Sequence, residues 1–198
     1  AGDAAHLMPP FMGQGMCAGI RDASNLAWKI SLCVKNKHNE DFLDTYQTER
    51  FSNAKEYIET TMRMGEFVNA IGSDKITDNI SSKPDGTKKM ESIKPKLGLG
   101  LGDKTDRNRG KIFPQLKMKN GKTLDDKFST SPLVLLSSEL KKQKPKSKIP
   151  MITEQEVLGL SNVLKSYEAK AVIVRPDRFI LKTCKTTKDF NQIEHLPL

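Results

Sequence analysis

Aromatic residues are scarce in this 198-residue chain, where Phe, Trp and Tyr together make up 6%. Hydrophobic residues reach 36%, which is lean yet sufficient for a globular core. Cysteine is scarcer. Cys17, Cys33 and Cys184 stand far apart, with neither a C-x-x-C pair nor zinc-ligand spacing. A disulfide framework and dithiol redox chemistry are thereby excluded, and isolated thiols in odd number point to a reducing, cytoplasmic setting. No run of about 18 apolar residues exists, so no membrane span is expected. No signal-peptide pattern is visible. His6 has no second histidine or carboxylate cluster beside it in sequence, so no metal site is expected.

Basic charge is plentiful. Lys and Arg number 33 against 24 acidic residues, a net charge of +9. Such an excess fits either a nucleic-acid or anionic-membrane surface, or a solvated lysine-rich exterior. The lysines are dispersed and not interleaved with aromatics, which favours the second reading and argues against a nucleic-acid partner. The length admits one large or two small domains.

The opening stretch, GDAAHLMPPFMGQGM from Gly2 to Met16, organises the rest. Gly2, Ala4 and Ala5 let backbone approach a ligand closely. Asp3 offers a carboxylate that accepts hydrogen bonds from ligand hydroxyls. Pro9 and Pro10 stiffen the loop. Gly13 and Gly15 permit backbone angles that other residues resist, and a helix is expected to open near Ala18. Its start would present free N–H groups and a partial positive charge to an electron-rich or anionic ligand group.

The run from Gly2 to Lys29 resembles the second flavin-binding motif of the FAD-dependent aromatic hydroxylases, flavoprotein monooxygenases of the p-hydroxybenzoate hydroxylase type. It is most similar to the 3-(3-hydroxyphenyl)propionate and phenol hydroxylase branch. The resemblance implies that Gly2 and Asp3 form the turn that holds the ribityl hydroxyls of FAD. Pro10 would lie beside the reactive edge of the isoalloxazine. Backbone of Gly13, Gln14, Gly15, Met16 and Cys17 would face the flavin pyrimidine ring and stabilise negative charge there. Cys17 stands where the family usually has Asn, so a side-chain amide contact is lost. Arg21 and Asp22 look like the family's structural pair at the helix start, and His6 like a brace of the turn. No side chain stands out as a catalytic acid or base.

Further along, helical spacing of Ile20, Ala23, Leu26, Ala27, Ile30 and Val34 predicts one apolar, core-facing stripe, with Trp28 and Lys29 off its centre. A second helix is expected from Glu40, with Phe42, Leu43, Tyr46, Phe51, Ala54, Tyr57, Ile58, Met62, Phe67, Val68 and Ile71 on its apolar face. Asp44 to Arg50 resembles the family's L-x-x-Y-x-x-E-R segment, whose Tyr–Glu–Arg set reads as packing and ion pairing. From Gly72 to Asp103 the pattern dissolves into a loop, with a turn at Lys83-Pro84-Asp85-Gly86. Gly98-Leu99-Gly100-Leu101-Gly102 has no strong strand before it and no helical pattern after it, so it reads as a loop.

After a boundary near residue 105 the periodicity changes. Ile112 to Met118 reads as a short strand or extended segment, Asn120-Gly121 as a tight turn, and Pro132 to Leu136 as a buried strand. Lys141 to Lys148 reads as a basic surface loop. Thr153-Glu154-Gln155-Glu156 has capping-box form and predicts a helix from Thr153. Ala171 to Val174 and Phe179 to Leu181 read as strands, with Cys184 after the last. Val174-Arg175-Pro176-Asp177-Arg178-Phe179 resembles the V-R-P-D-x-(Y/F) signature that closes the thioredoxin-like domain of these hydroxylases.

The expected fold class is therefore α/β. Residues 1–104 would be the C-terminal part of a Rossmann-like FAD/NAD(P)-binding domain with long helices. Residues 105–198 would be a small thioredoxin-like α/β domain without C-x-x-C. The strand, Gly-x-Gly-x-x-Gly turn and helix that hold the ADP part of FAD have no counterpart here. The chain accordingly reads as the C-terminal part of a longer monooxygenase: a truncated gene, a split subunit or an incomplete sequence. The resemblance implies FAD as cofactor, NAD(P)H as co-substrate, and O2 and a phenolic ring as reactants, with a homodimer or a complementing N-terminal chain as partner. The alternative is a non-catalytic remnant whose C-terminal domain mediates association beside a vestigial flavin motif.

Overall fold

The computed structural model describes residues 1–35, 37–70, 81–82, 88–89, 93–143, 145 and 147–198. Helices dominate before residue 105 and a four-stranded sheet follows it. Helix α1 spans Gly15–Val34, opening at Gly15 rather than near Ala18. Gly13 takes the left-handed conformation at φ 60°, and Gln14 then caps the helix by accepting from the Ala18 N–H at 2.8 Å. A 3-10 turn, Glu40–Leu43, leads into helix α2, Asp44–Ala70.

The apolar stripe expected to bury α1 faces outward. Ile20, Ile30 and Val34 are exposed, and so are Ala23 and Ala27. The buried residues are Ala18, Asp22, Asn25, Trp28 and Lys29. The reason is electrostatic. Elements packed on this side bring Glu49, Arg50, Arg175 and Asp177, and buried charges must be paired and hydrogen-bonded. Trp28 is buried with them, edge-on to Phe42 at 5.7 Å and under the Arg175 guanidinium at 5.1 Å. Helix α2 behaves similarly. Phe42, Ala54 and Tyr57 are buried, but Phe51, Met62 and Val68 are exposed while Glu49, Arg50 and Asn53 point inward. Ile71, the side chain of Phe67 and the Lys83–Gly86 turn lie outside the described residues. Two short strands, β1 (Ser81–Ser82) and β2 (Lys88–Lys89), pair antiparallel within the stretch expected to be loop.

The Gly98–Gly102 segment is a loop, and its glycines mark close approaches. A Cβ on Gly98 would strike the Thr48 carbonyl, and one on Gly100 would strike the Glu49 side chain. The segment from Ile112 to Met118 is extended without forming a strand, joined only by single bridges from Ile112 to Phe179, Lys117 to Thr123 and Met118 to Val157. Gly121 makes the expected turn at φ 83°, and a Thr123 capping box starts helix α3, Leu124–Phe128.

The sheet holds β3 (Leu133–Leu136), β4 (Met151–Thr153), β5 (Ala171–Val174) and β6 (Ile180–Cys184) in the order β4-β3-β5-β6. β3 runs parallel to β4 and antiparallel to β5, which is antiparallel to β6. All residues of β3 and β5 are buried, because the sheet is covered on both faces. Leu160 and Leu164 of helix α4 (Leu160–Ser166) pack on one side. Phe190 of helix α5 (Thr187–Asn191) and Ile193 pack on the other.

Two expectations fail here. No helix starts at Thr153. The capping-type bonds do form, since Thr153 N–H and Oγ1 both reach Glu156 Oε2 at 3.0 and 3.1 Å. They close a turn instead, because Thr153 belongs to β4 and Val157 is held in its bridge to Met118. The helix waits for Gly159 at φ 75°. Cys184, expected after the last strand, is the final residue of β6; burial pushes its thiol up to about 12.

One carboxylate ties the halves together. Glu49 accepts from Arg175 Nη1 at 2.7 Å, Arg175 Nη2 at 2.9 Å, Lys29 Nζ at 2.8 Å, Asn25 Nδ2 at 3.1 Å and the Leu101 N–H at 2.9 Å. Arg175 also donates to Asp177 at 2.6 and 3.0 Å, and Asn25 to Asp177 at 3.0 Å. Burial raises the pKa of Glu49, but Arg175 and Lys29 outweigh it and hold the group down to about 2. A carboxyl that is more acidic folded than unfolded stabilises the fold above its unfolded pKa, and that contribution fades as pH falls toward the folded value. Stability should therefore drop between pH 4.5 and 2 by an amount on the order of 3 kcal/mol from this group. Urea titrations across that range are expected to show a shallower acid slope in Glu49→Gln, together with a loss of about 3–5 kcal/mol at neutral pH, because Lys29 is left buried without its carboxylate and Arg175 keeps only Asp177.

Candidate functional site

The N-terminal turn is built around Asp22. Gly2–Ala4 forms a 3-10 turn closed by the Ala5 N–H on the Gly2 carbonyl at 2.8 Å. Asp22, buried on α1, accepts from the Gly2 N–H at 2.9 Å and contacts His6 Nε2 at 2.8 Å. Its second oxygen accepts from Arg50 Nε at 2.7 Å. Burial alone would raise the Asp22 pKa; the Gly2 N–H, Arg50 and His6 reverse this and keep it below the usual carboxylate value. The turn is thus pinned to both long helices. Arg50 continues the chain of contacts to Asn53, which donates to the Pro95 carbonyl at 2.7 Å.

Past the turn, Pro10–Met12 forms a second 3-10 turn, with Pro9 before it. The ring of Phe11 rests on Gly65 of α2, where a Cβ would collide with it. Gly13 follows with open space around its Cβ position. The first backbone bond of α1 runs from Ala18 to Gln14, so the N–H groups of Gly15, Met16 and Cys17 have no partner within the helix. Arg21 Nη2 donates to Gln14 Oε1 at 3.2 Å and its guanidinium lies 4.8 Å from the Tyr57 ring.

The eight residues singled out from sequence fall in this one lobe. Asp3, Pro10 and Gly13 are exposed, Gly2, Gln14, Gly15 and Cys17 are half-buried, and the Met16 side chain points to solvent. The donor set suits a flavin. An exposed carboxylate can accept from hydroxyls, and free N–H groups at the positive end of a 20-residue helix can donate to ring carbonyls. The Cys17 thiol is no substitute for an amide in donating strength. Among the described residues no group of three or more His, Cys, Asp or Glu could hold a metal, and no helix is long and apolar enough to cross a membrane.

Glu49 and Arg50 were legible as ion-pair formers, Asp22 as structural and Arg175 only as part of a motif, but none of them as the frame of this lobe. Asp22, Asn25 and Lys29 recur at helical spacing opposite the apolar stripe, and that polar stripe was the available signal.

Residues 1–61 match the family model described as FAD binding domain. The chain is 38% identical over 119 residues to the probable NADH-specific resorcinol 4-hydroxylase of Rhodococcus jostii, covering 58% of this chain and 22% of that protein. It is 51% identical over 65 residues to the 3-(3-hydroxy-phenyl)propionate/3-hydroxycinnamic acid hydroxylase of Escherichia coli, covering 33% of this chain and 12% of that one. Among solved structures, the ternary complex of aklavinone-11 hydroxylase with FAD and aklavinone superposes with a TM-score of 0.60 at 18% identity. That match takes in 100% of this chain and 43% of the other, and it shows a shared fold.

The Asp22 clamp lies inside the matched segment, and its removal should cost far more than removal of the exposed acid beside it. Urea denaturation is expected to show a loss of about 3–5 kcal/mol for Asp22→Ala, since Arg50 is left buried and unpaired, against a change within about 0.5 kcal/mol for Asp3→Ala. Over part of their length, then, this chain is similar to FAD-dependent aromatic hydroxylases, and residues 1–61 carry the FAD binding domain match.

Proposed function

We propose that this chain is the flavin-holding and C-terminal portion of an NAD(P)H- and O2-dependent enzyme that hydroxylates phenolic rings. The observation that carries the reading is the open start of α1 behind Gly13, set beside the exposed Asp3 on a turn that Asp22 holds in place. Asp3 binds the ribityl hydroxyls. The N–H groups of Gly15, Met16 and Cys17 donate to the pyrimidine edge of the ring, where the helix dipole favours negative charge. Gly2 and Gly13 let the backbone come close, and Pro10 lies along the reactive edge. FAD, when bound, supplies the hydride-accepting and oxygen-activating chemistry; the protein's share is to bind, orient and exclude water.

The division into residues 1–104 and 105–198 follows the change from helices to sheet. The order β4-β3-β5-β6, with one parallel and two antiparallel pairings, supports a thioredoxin-like reading of the second part. With no paired cysteines, that part acts structurally. A partner surface also belongs to this reading. The outward stripe of α1, including Met16 at 76% and Val34 at 76% exposure, suits a complementing flavoprotein segment or chain.

A FAD fluorescence titration tests the reading. Because the aligned relatives are several times longer, the 198-residue chain is expected to bind FAD weakly, with a dissociation constant above about 10 μM. Asp3→Ala should weaken binding at least about tenfold, equal to about 1.4 kcal/mol. Equal quenching by the wild type and Asp3→Ala would overturn the assignment of the site.

A further inference from the structure

Two basic stretches of the sequence have no part in the flavin site: Lys35-Asn36-Lys37 after α1, and Lys141 to Lys148 before β4. The fold brings lysines from both to one cavity of about 640 Å³. α1 and the turn after it contribute Leu32, Lys35 and Lys37, and the sheet region contributes Ser131, Lys148 and Ile149. A helix rises about 1.5 Å per residue, so the lysines at the end of this 20-residue helix lie about 30 Å from its start. The cavity is thus remote from the flavin loop. Lys35, Lys37 and Lys148 are exposed. Among the described residues no carboxylate lies within ion-pair distance of any of them, and no Asp or Glu lines the cavity. Lys29, Lys55 and Lys170, by contrast, each have a carboxylate partner. The backbone around the three lysines is held in place. The Lys35 N–H donates to the Ser31 carbonyl at 3.2 Å, the Lys37 N–H to the Leu32 carbonyl at 3.0 Å, and the Ile149 N–H to Ser147 Oγ at 3.2 Å.

Like charges around one concavity focus their field and draw an anion. The number of charges indicates which anion. A carboxylate brings one negative charge and a phosphate monoester about two at neutral pH, whereas a diphosphate brings enough to engage all three lysines. Lysine suits phosphate as a point charge, and Thr130 and Ser131 add hydroxyl donors to the lining. Leu32, Ile149 and Pro176 make the rest of the wall apolar. The volume falls within the roughly 300–1,000 Å³ of small-molecule sites. We propose that this cavity binds a small organic diphosphate, with the diphosphate on Lys35, Lys37 and Lys148 and the organic body against Leu32, Ile149 and Pro176.

The test is calorimetric titration of the 198-residue chain, without FAD or divalent cations, with isopentenyl diphosphate, inorganic pyrophosphate and orthophosphate. Isopentenyl diphosphate should bind one to one. It should bind at least about tenfold more tightly than orthophosphate, which reaches fewer lysines, and about threefold more tightly than pyrophosphate, which lacks the apolar contact. The double variant Lys35→Gln/Lys148→Gln, at two exposed positions, should weaken it at least about tenfold, a modest sum for two partly solvated ion pairs, with circular dichroism confirming the fold. Lys104→Gln/Lys122→Gln removes the same charge at exposed positions outside the cavity and should change affinity less than about twofold, because salt screens distant charges. Absence of saturable binding up to about 10 mM, equal affinity for isopentenyl diphosphate and either inorganic anion, or equal weakening by the two double variants would each overturn the proposal.

Discussion

The Glu49 carboxylate is the interaction on which the rest of the structure depends. It sits fully buried and gathers donors from α1, from the glycine loop and from the turn after β5. Moving a carboxylate out of water costs several kcal/mol, and only a full set of well-placed donors offsets this. Arg175 supplies two of them in parallel, the geometry that makes such pairs strong and directional. The glycine loop must approach as closely as it does because Gly100 lies on the Glu49 side chain itself. Lys29 shares the site at a cost to its own charge, burial holding its ammonium down to about 8 although Glu49 pulls the other way.

Neighbouring residues of one helix divide the work. Glu49 faces the sheet region through Arg175, and Arg50 faces the N-terminal turn through Asp22. The turn carrying Asp3 and the turn carrying Arg175-Pro176-Asp177 are thus referenced to the same stretch of α2. This gives a physical reason for finding a flavin-type motif and a distant R-P-D motif in one chain. Each supplies a counter-charge to a residue that α2 buries, Asp22 to Arg50 and Arg175 to Glu49. It also explains why α1 turns its polar side inward: its apolar side has no ions to satisfy.

Burying such a cluster is a weak route to stability but a strong route to a single arrangement, because misplacing any one member strands a charge in the interior. An apolar seam between α1, α2 and the sheet would tolerate sliding. The ionic seam has one register, and the start of α1 is aimed accordingly. The protein thereby trades some stability for a defined orientation of the N–H groups at Gly15 to Cys17.

What the sequence by itself determined is local. The glycine and proline positions of the opening loop, the two long helices, the buried strands β3 and β5 and the Asn120-Gly121 turn follow from backbone sterics and short-range pattern, which act over a few residues. The likeness of Gly2–Lys29 to a flavin motif is equally local. Three-dimensional packing decided what pattern could not. It chose the polar face of α1 for the interior, because the partners of Asp22, Asn25 and Lys29 come from residues as distant as Arg50, Asp177 and Glu49. It kept Thr153 in a strand despite its capping signature, because a parallel partner and a bridge at Val157 outweigh one turn's hydrogen bonds. The reason is common to both: burial of a charge or a strand is settled by what lies across the interior, and sequence spacing carries no record of that.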